Sequence, residues 1–462
     1  MSRYTSATDA DRAAMLERIG VASIDELFEA IPEGVRLGRA LDLPPGRPEQ
    51  EVYARLRELA SRNVSTDDEL SFLGAGMYDH YVPSIVDSIT SRSEFLTPYT
   101  PYQPEVSQGT LQLMFEYQTA ISELTGLPVS NATLYEGPSA LGAAGFLAYQ
   151  HHDRGRFLIS RGVHPHARET LRTMSAAWGI EVQEIPLRDG VTDLDALREA
   201  VGDDVSAVFL AQPNFLGAVE DLEALVPPVK EAGAIAVCSC DPMTLGVLRP
   251  PGDFGVDIAV GEGQPLGGRL DYGGPSFGFF AAQQAFLRRI PGRIAGETTD
   301  ADGRRGFVPT LQTREQHIRR ERATSNITTA QTLNALAAIV YLSWLGRRGI
   351  VEIGELMVQR TAYARRTLDA LDGVEALHDQ PVVREFAVRL DAPVDQVIER
   401  CAAQGVNPGY RLGADYPEYE DCLLVAITEQ RTREDIDRLA SVLEGAVSGA
   451  GRFRRAEQEI TA

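Results

Sequence analysis

Between residues 110 and about 290 the chain alternates short apolar runs with helical stretches, and this alternation constrains its fold more than any other feature. The runs are FLIS, VQEIPL, VSAVFLAQ, AIAVCSC and DIAVGEG, and helical segments at 166–178, 192–202 and 219–233 separate them. Two further helices precede them, LQLMFEYQTAISELTG, ended by Gly126, and ALGAAGFLAYQHH, which follows EGPS. Strands alternating with helices predict βαβ units and a mainly parallel sheet. In such sheets ligands bind beyond the carboxyl ends of the strands. The residues just after each run are therefore where chemistry is to be sought.

The flanks read differently. Residues 1–65 form an arm of short helices: SATDADRAAMLERIG has good capping residues, SIDELFEAIP carries a capping box (Ser23 with Glu26), and PPGRPEQ breaks the chain before EVYARLRELASRN. Residues 66–330 form the large α/β domain. FLTPYTPYQPEVSQG, rich in proline and tyrosine, predicts an extended loop. It is either a rigid connector or a loop lining a site or a subunit contact. The helix SNITTAQTLNALAAIVYLSWLGRRG, closed at Gly349, opens residues 331–462. A helix to 371, the strand REFAVRL, another helix, LLVAITE and a last helix complete a smaller α+β domain.

Charge narrows the function classes. There are 66 acidic and 44 basic residues, a net charge of -22. That argues against a nucleic-acid partner, which needs clustered Lys and Arg. Lys230 is the only lysine. A dispersed acidic surface nearly free of lysine fits an organism living at high salt; GC-rich codon usage gives the same bias. No run approaches the roughly 20 apolar residues of a membrane span, and MSRYTSATDADR is not a signal peptide. A cytoplasmic protein is expected. Cys238, Cys240, Cys401 and Cys422 form no CxxC pair. They read as buried reduced thiols rather than metal ligands.

Four features fall at strand or helix ends. EGPSALGAA places Ser139 at a helix start, the usual place for a phosphate. LISRGVHPH places His164 after one strand, CSCDP places Asp241 after another, and GEGQPLGGRLDYGGP places Gln264 after the next. Each alone has a bland explanation: a turn, a hydrogen-bonded loop histidine, an Asp-Pro turn. Together, in this order, they match what a parallel-sheet enzyme using pyridoxal phosphate needs. Such an enzyme requires a helix N-terminus for the phosphate, a flat ring against the pyridine, and an aspartate at the ring nitrogen. It also needs a lysine for the Schiff base. The lysine is missing. Lys230 precedes Asp241 and lies in the helix PPVKEAGA, where it reads as an exposed helix residue.

Over nearly its whole length the chain resembles the alpha subunit (subunit 1) of the split glycine dehydrogenase (decarboxylating), the P-protein of the glycine cleavage system. The motifs that carry the resemblance are FLGAGMYDHYVP, TPYTPYQPEVSQGTLQLMFEYQTAISELTG, DYGGPSFGFFA, ETTDADGRRGFVPTLQTREQHIRRERATSNITT, LNALAAIVYLS and LLVAITEQRTREDIDRL. The resemblance implies the aspartate-aminotransferase fold (fold type I of pyridoxal-phosphate enzymes). It implies decarboxylation of glycine, with transfer of the aminomethyl group to the lipoyl arm of the H-protein. It implies a beta subunit that carries the Schiff-base lysine and the pyridoxal phosphate, with two copies of each subunit. Gln264 falls at the lysine position, Asp241 at a spacing that suits the pyridine-nitrogen aspartate, and His164 where the related site stacks a ring. A glutamine amide cannot form an imine. This chain is therefore expected to hold no cofactor covalently and no metal. Ser139, His164, Asp241 and Gln264 would line a vestigial pocket with no catalytic residue. Departures from the family pattern fall at Glu136, Pro138, Ser139, Gly142 and in SNITTAQ. A non-catalytic scaffold or regulatory pseudoenzyme, docking the H-protein or a paralogous partner, is the alternative.

Overall fold

A computed structural model describes residues 6–272, 274–327 and 329–450. Gly273 of the Gly-Gly-Pro stretch and Thr328 of SNITTAQ lie outside the described residues. The chain divides into two compact units, at Val64 and Ser65.

In the first unit the helices are Asp9–Ile19 and Glu49–Ala60. Thr8 and Asp11 close a reciprocal capping box on the first, with Thr8 N–H donating to the Asp11 carboxylate at 2.7 Å. Around Ser23, Glu26 accepts from the Ala22 N–H at 3.1 Å, but only a short 3-10 turn, Asp25–Phe28, follows. Neither long helix has a buried residue. Helices this short gain most of their stability from an apolar face packed on something else.

The second unit is built on a seven-stranded sheet. Its order is Val129–Ser130, Gly278–Ala282, Ile258–Glu262, Ile235–Cys240, Val205–Gln212, Arg156–Ser160 and Glu181–Ile185. The last five in that order pair in parallel. Their near-continuous apolar character follows from burial on both faces. Phe157 and Ile159 enter one core with Leu141 and Leu171 of the covering helices Gly137–His151 and Pro165–Trp178. Leu158, between them, enters the other core with Tyr117 of Gln108–Thr125 and Tyr341 of Thr332–Asp369. Gly278–Ala282 runs antiparallel to both its neighbours. The chain returns through the Gly-Gly-Pro loop as a hairpin rather than through a crossover, and Gly263 N–H meets the Phe277 carbonyl at 2.7 Å.

The C-terminal layer is a four-stranded antiparallel sheet of Val374–Ala376, Glu385–Leu390, Cys422–Ala426 and Tyr410–Arg411. The chain near residue 70 joins this layer. Leu70–Ser71 pairs in parallel with Val406–Asn407, and the Phe72 carbonyl accepts from Ala426 N–H. From there the chain runs on into FLGAGMYDHYVP. The long helix expected to close at Gly349 breaks instead at Gly346, whose φ of 60° is left-handed. A residue without a Cβ adopts that conformation cheaply. All four cysteines are buried, and burial pushes the Cys238 thiol up to about 12 and that of Cys401 up to about 11. Among the described residues no helix is long and apolar enough to cross a membrane.

Gly217 ties the two layers together. Its φ is +86°, and a Cβ there would lie 2.1 Å from the Glu385 carbonyl oxygen. Gly217→Ala is expected to cost on the order of 2–4 kcal/mol, from left-handed strain and overpacking. The check is the urea midpoint, which falls while the slope of the transition stays the same.

Candidate functional site

The strand ends converge as the parallel sheet requires, and the segment 74–80 is laid across them. His164 caps the Pro165–Trp178 helix, its Nδ1 accepting from His166 N–H at 3.1 Å. Its Nε2 then carries the proton and donates to the Ala75 carbonyl at 2.9 Å. Burial lowers the His164 pKa, in keeping with this neutral tautomer. Gly76 passes so close that a Cβ would lie 2.7 Å from Nε2, and its φ is +104°. Only glycine fits there without strain.

Asp241 follows the strand Ile235–Cys240 directly. One carboxylate oxygen accepts from Met243 N–H at 3.0 Å, and the other pairs with Arg384 at 2.5 Å. The Arg384 guanidinium carbon lies 3.2 Å from the centre of the Tyr78 ring. Arg384 also donates to His80 Nε2, so the His80 proton sits on Nδ1, which meets Glu429 at 2.6 Å. The Tyr78 hydroxyl donates to Glu385 at 2.5 Å, and the same carboxylate accepts from Ala75 N–H at 2.7 Å. Burial pushes the pKa values of both Tyr78 and Glu385 up. Arg384 Nε is buried and has no hydrogen-bond partner among the described residues.

Gln264 is 1% exposed. Its amide oxygen accepts from Tyr78 N–H at 3.0 Å, and its amide nitrogen donates to the Tyr78 carbonyl at 3.0 Å and to the Gly268 carbonyl at 2.9 Å. The side chain thus pairs with the N–H and the carbonyl of one residue, as a neighbouring strand would. Lysine, a donor only, could not accept the Tyr78 proton. Glu262, two residues earlier at the end of its strand, accepts from Gln264 N–H at 2.9 Å, from the Ser276 hydroxyl at 2.7 Å and from Gly137 N–H at 3.0 Å.

A cavity of about 760 Å3 lies among these groups, and His164, Asp241, Glu262, Arg384, Tyr78 and Gly76 line it. Of the four residues singled out by sequence, it brings together His164 and Asp241. Gln264 stands behind its wall. Ser139 faces a separate cavity beside Trp178 and Met174, its hydroxyl bonded to Glu136. Sequence reasoning missed Tyr78, His80, Glu262, Arg384 and Glu385. The signal was there in part: VVREFAVRL sets two charged residues at the mouth of a buried strand, and Arg384 and Glu385 are 3% and 6% exposed. Lys230 is held by Asp257 at 2.5 Å. Asp257 immediately precedes the strand Ile258–Glu262, so Lys230 sits at the amino end of the strands, opposite the cavity at their carboxyl ends.

This architecture is that of the fold type I pyridoxal-phosphate-dependent enzymes. The glutamate decarboxylase of Lactobacillus brevis, 14% identical, superposes over 92% of this chain and 98% of its own with a TM-score of 0.69. A crystal structure of glycine decarboxylase (P-protein) of the glycine cleavage system, in inhibitor-bound form, is 42% identical. It superposes over 96% of this chain and all of its own, with a TM-score of 0.87. The family model described as glycine cleavage system P-protein matches residues 2–443. A relative described as "Probable glycine dehydrogenase (decarboxylating) subunit 1", from Geobacillus kaustophilus (strain HTA426), is 49% identical over 443 residues. The match covers 96% of this chain and 99% of that one. The chain belongs to the glycine cleavage system P-protein family.

Replacing Gln264 by leucine leaves the Tyr78 N–H and the Gly268 carbonyl without their partner. At roughly 1–3 kcal/mol for each buried group left unpaired, Gln264→Leu is expected to lose about 2–4 kcal/mol. Hydrogen exchange reads this locally: the Tyr78 amide proton loses protection far more than amides of the strand Val205–Gln212.

Proposed function

We propose that this chain is the subunit of a two-subunit glycine decarboxylase that forms no Schiff base. In this reading a lysine-bearing beta subunit completes the enzyme, with two copies of each, and the lipoylated H-protein receives the product. Gln264 carries the reading. The position that the family resemblance assigns to the Schiff-base lysine holds a neutral amide whose oxygen and nitrogen are both committed to backbone. An amide nitrogen is a poor nucleophile, and Lys230 is committed to Asp257.

The other groups do not fit pyridoxal phosphate either. Asp241, which would face a pyridine nitrogen, already has the Arg384 guanidinium against it. The His164 ring is pinned to Ala75, with Gly76 packed against its Nε2. Pyridoxal phosphate supplies the electron sink that a glycine decarboxylation needs, and we assign it to the beta subunit.

What this chain contributes is support and surface. Arg384, paired with Asp241 and His80, joins the C-terminal layer to the strand ends. Beyond them, Tyr99 of TPYTPYQP is 81% exposed and Tyr272 of the Gly-Gly-Pro loop 87%, with Trp344 of the long helix also exposed. Aromatic groups left in water suit a protein contact, and these three support a subunit interface. In this reading the chain comprises an arm (1–65), a large domain (66–330) and a small domain (331–462). A cytoplasmic location belongs to this reading, and the free thiols of Cys238, Cys240 and Cys401 support it. The relatives bear the name of an enzyme subunit, which does not favour the scaffold alternative.

The test is glycine-dependent exchange of labelled carbon dioxide. This chain alone and the beta subunit alone are expected to show none, and the mixture to show activity. Full activity of the beta subunit without this chain would overturn the proposal in favour of the scaffold.

A further inference from the structure

The start of the Gly137–His151 helix is where a phosphate would sit in this fold, and its donors can be followed one by one. Gly137 N–H is taken by the Glu262 carboxylate at 3.0 Å. Pro138 has no N–H. Ser139 N–H is taken by the Glu136 carboxylate at 3.1 Å. Ala140 N–H opens the helical ladder on the Glu136 carbonyl at 2.9 Å. No N–H from Gly137 to Ala140 is left over. The backbone around the helix start, which borders the cavity, is also tightly packed. A Cβ on Gly137 would lie 3.0 Å from the Glu262 nitrogen, and one on Gly278 would lie 2.4 Å from the Glu136 carbonyl oxygen.

A helix N-terminus attracts negative charge, and here two internal carboxylates already satisfy it. Glu262 is the more deeply set. Three donors from three segments, Gly137, Gln264 and Ser276, fix both of its oxygens. Arg384 is the only lysine or arginine lining the cavity among the described residues, and Asp241 and His80 engage it. A phosphate entering here would meet carboxylates where it needs donors.

We infer that Glu262 makes this pocket reject phosphate, so that restoring the lysine by Gln264→Lys does not restore binding of pyridoxal phosphate. Glu262 is thus a specificity-determining residue: the pocket is closed to phosphate esters, independently of the missing nucleophile. The inference rests on the proposed Schiff-base-free role but goes further, because it says why one substitution cannot reverse that role. It also links two features of the sequence. Gly137 and Gln264 are bonded to the same carboxylate, so the helix start and the loop of the missing lysine are one unit.

The experiment uses the full chain with Gln264→Lys, Glu262→Gln and the double variant, and Glu262→Ala in case glutamine holds the seat shut. Two probes are added to each: pyridoxal phosphate, read by borohydride-trapped adduct, and inorganic phosphate, read by phosphorus NMR line broadening. Gln264→Lys is expected to give no adduct and to bind phosphate no better than wild type. Glu262→Gln or Glu262→Ala is expected to bind phosphate at least ten-fold more tightly. An adduct on Gln264→Lys alone equal to that on the double variant would overturn the inference, as would unchanged phosphate affinity in both Glu262 variants. An adduct on the wild-type chain would instead sink the Schiff-base-free reading, so the two failures are distinguishable.

Discussion

The pairing of the Gln264 side chain with the Tyr78 backbone organises the pocket. A carboxamide carries one acceptor and one donor side by side, as a peptide unit does. It can therefore bind a passing strand at two points, and here it does so at 3.0 Å on each side. This contact fixes residues 74–80 across the carboxyl ends of the parallel strands. Ala75 then reaches His164, the Tyr78 ring lies against Arg384, and His80 links Arg384 to Glu429. The segment that begins in the C-terminal layer at Leu70 becomes the roof of the cavity.

Under the proposed function, the groups expected to face pyridoxal phosphate are held by partners within the protein. Arg384 stands opposite Asp241 as a cation, Glu136 and Glu262 stand at the helix start as anions, and the Ala75 carbonyl accepts from His164. Electrostatic complementarity is retained while the ligand is replaced by the protein's own groups. Such a site keeps the shape of the fold, and with it the surfaces a second subunit would recognise, without needing cofactor to fill a polar hollow. Buried polar groups are costly only when unpaired, and nearly all of these are paired.

Much of the fold was legible because it depends on local pattern. The five parallel strands fall where FLIS, VQEIPL, VSAVFLAQ, AIAVCSC and DIAVGEG place them, since strands buried on both faces stay apolar throughout. His164, Asp241 and Gln264 were visible because each follows such a run. What was hidden is long-range. Gln264 and Tyr78 are 186 positions apart, Tyr78 and Glu385 are 307 apart, and no periodicity announces that they meet. Ser139 was misread as part of the pocket because a Gly-Pro-Ser helix start looks the same whether its donors are free or internally capped. The antiparallel Gly278–Ala282 and the break at Gly346 rather than Gly349 depend on where the chain must turn back, which composition does not encode.

The central claim is that one kind of subunit, not both, carries the covalent cofactor. Borohydride reduction of the assembled enzyme, followed by peptide mapping of the pyridoxyl groups, tests it most directly. The account predicts one pyridoxyl group for each pair of unlike subunits, all of it on a lysine of the partner. A pyridoxyl group on a peptide of this chain, in an amount equal to the subunit, would contradict it.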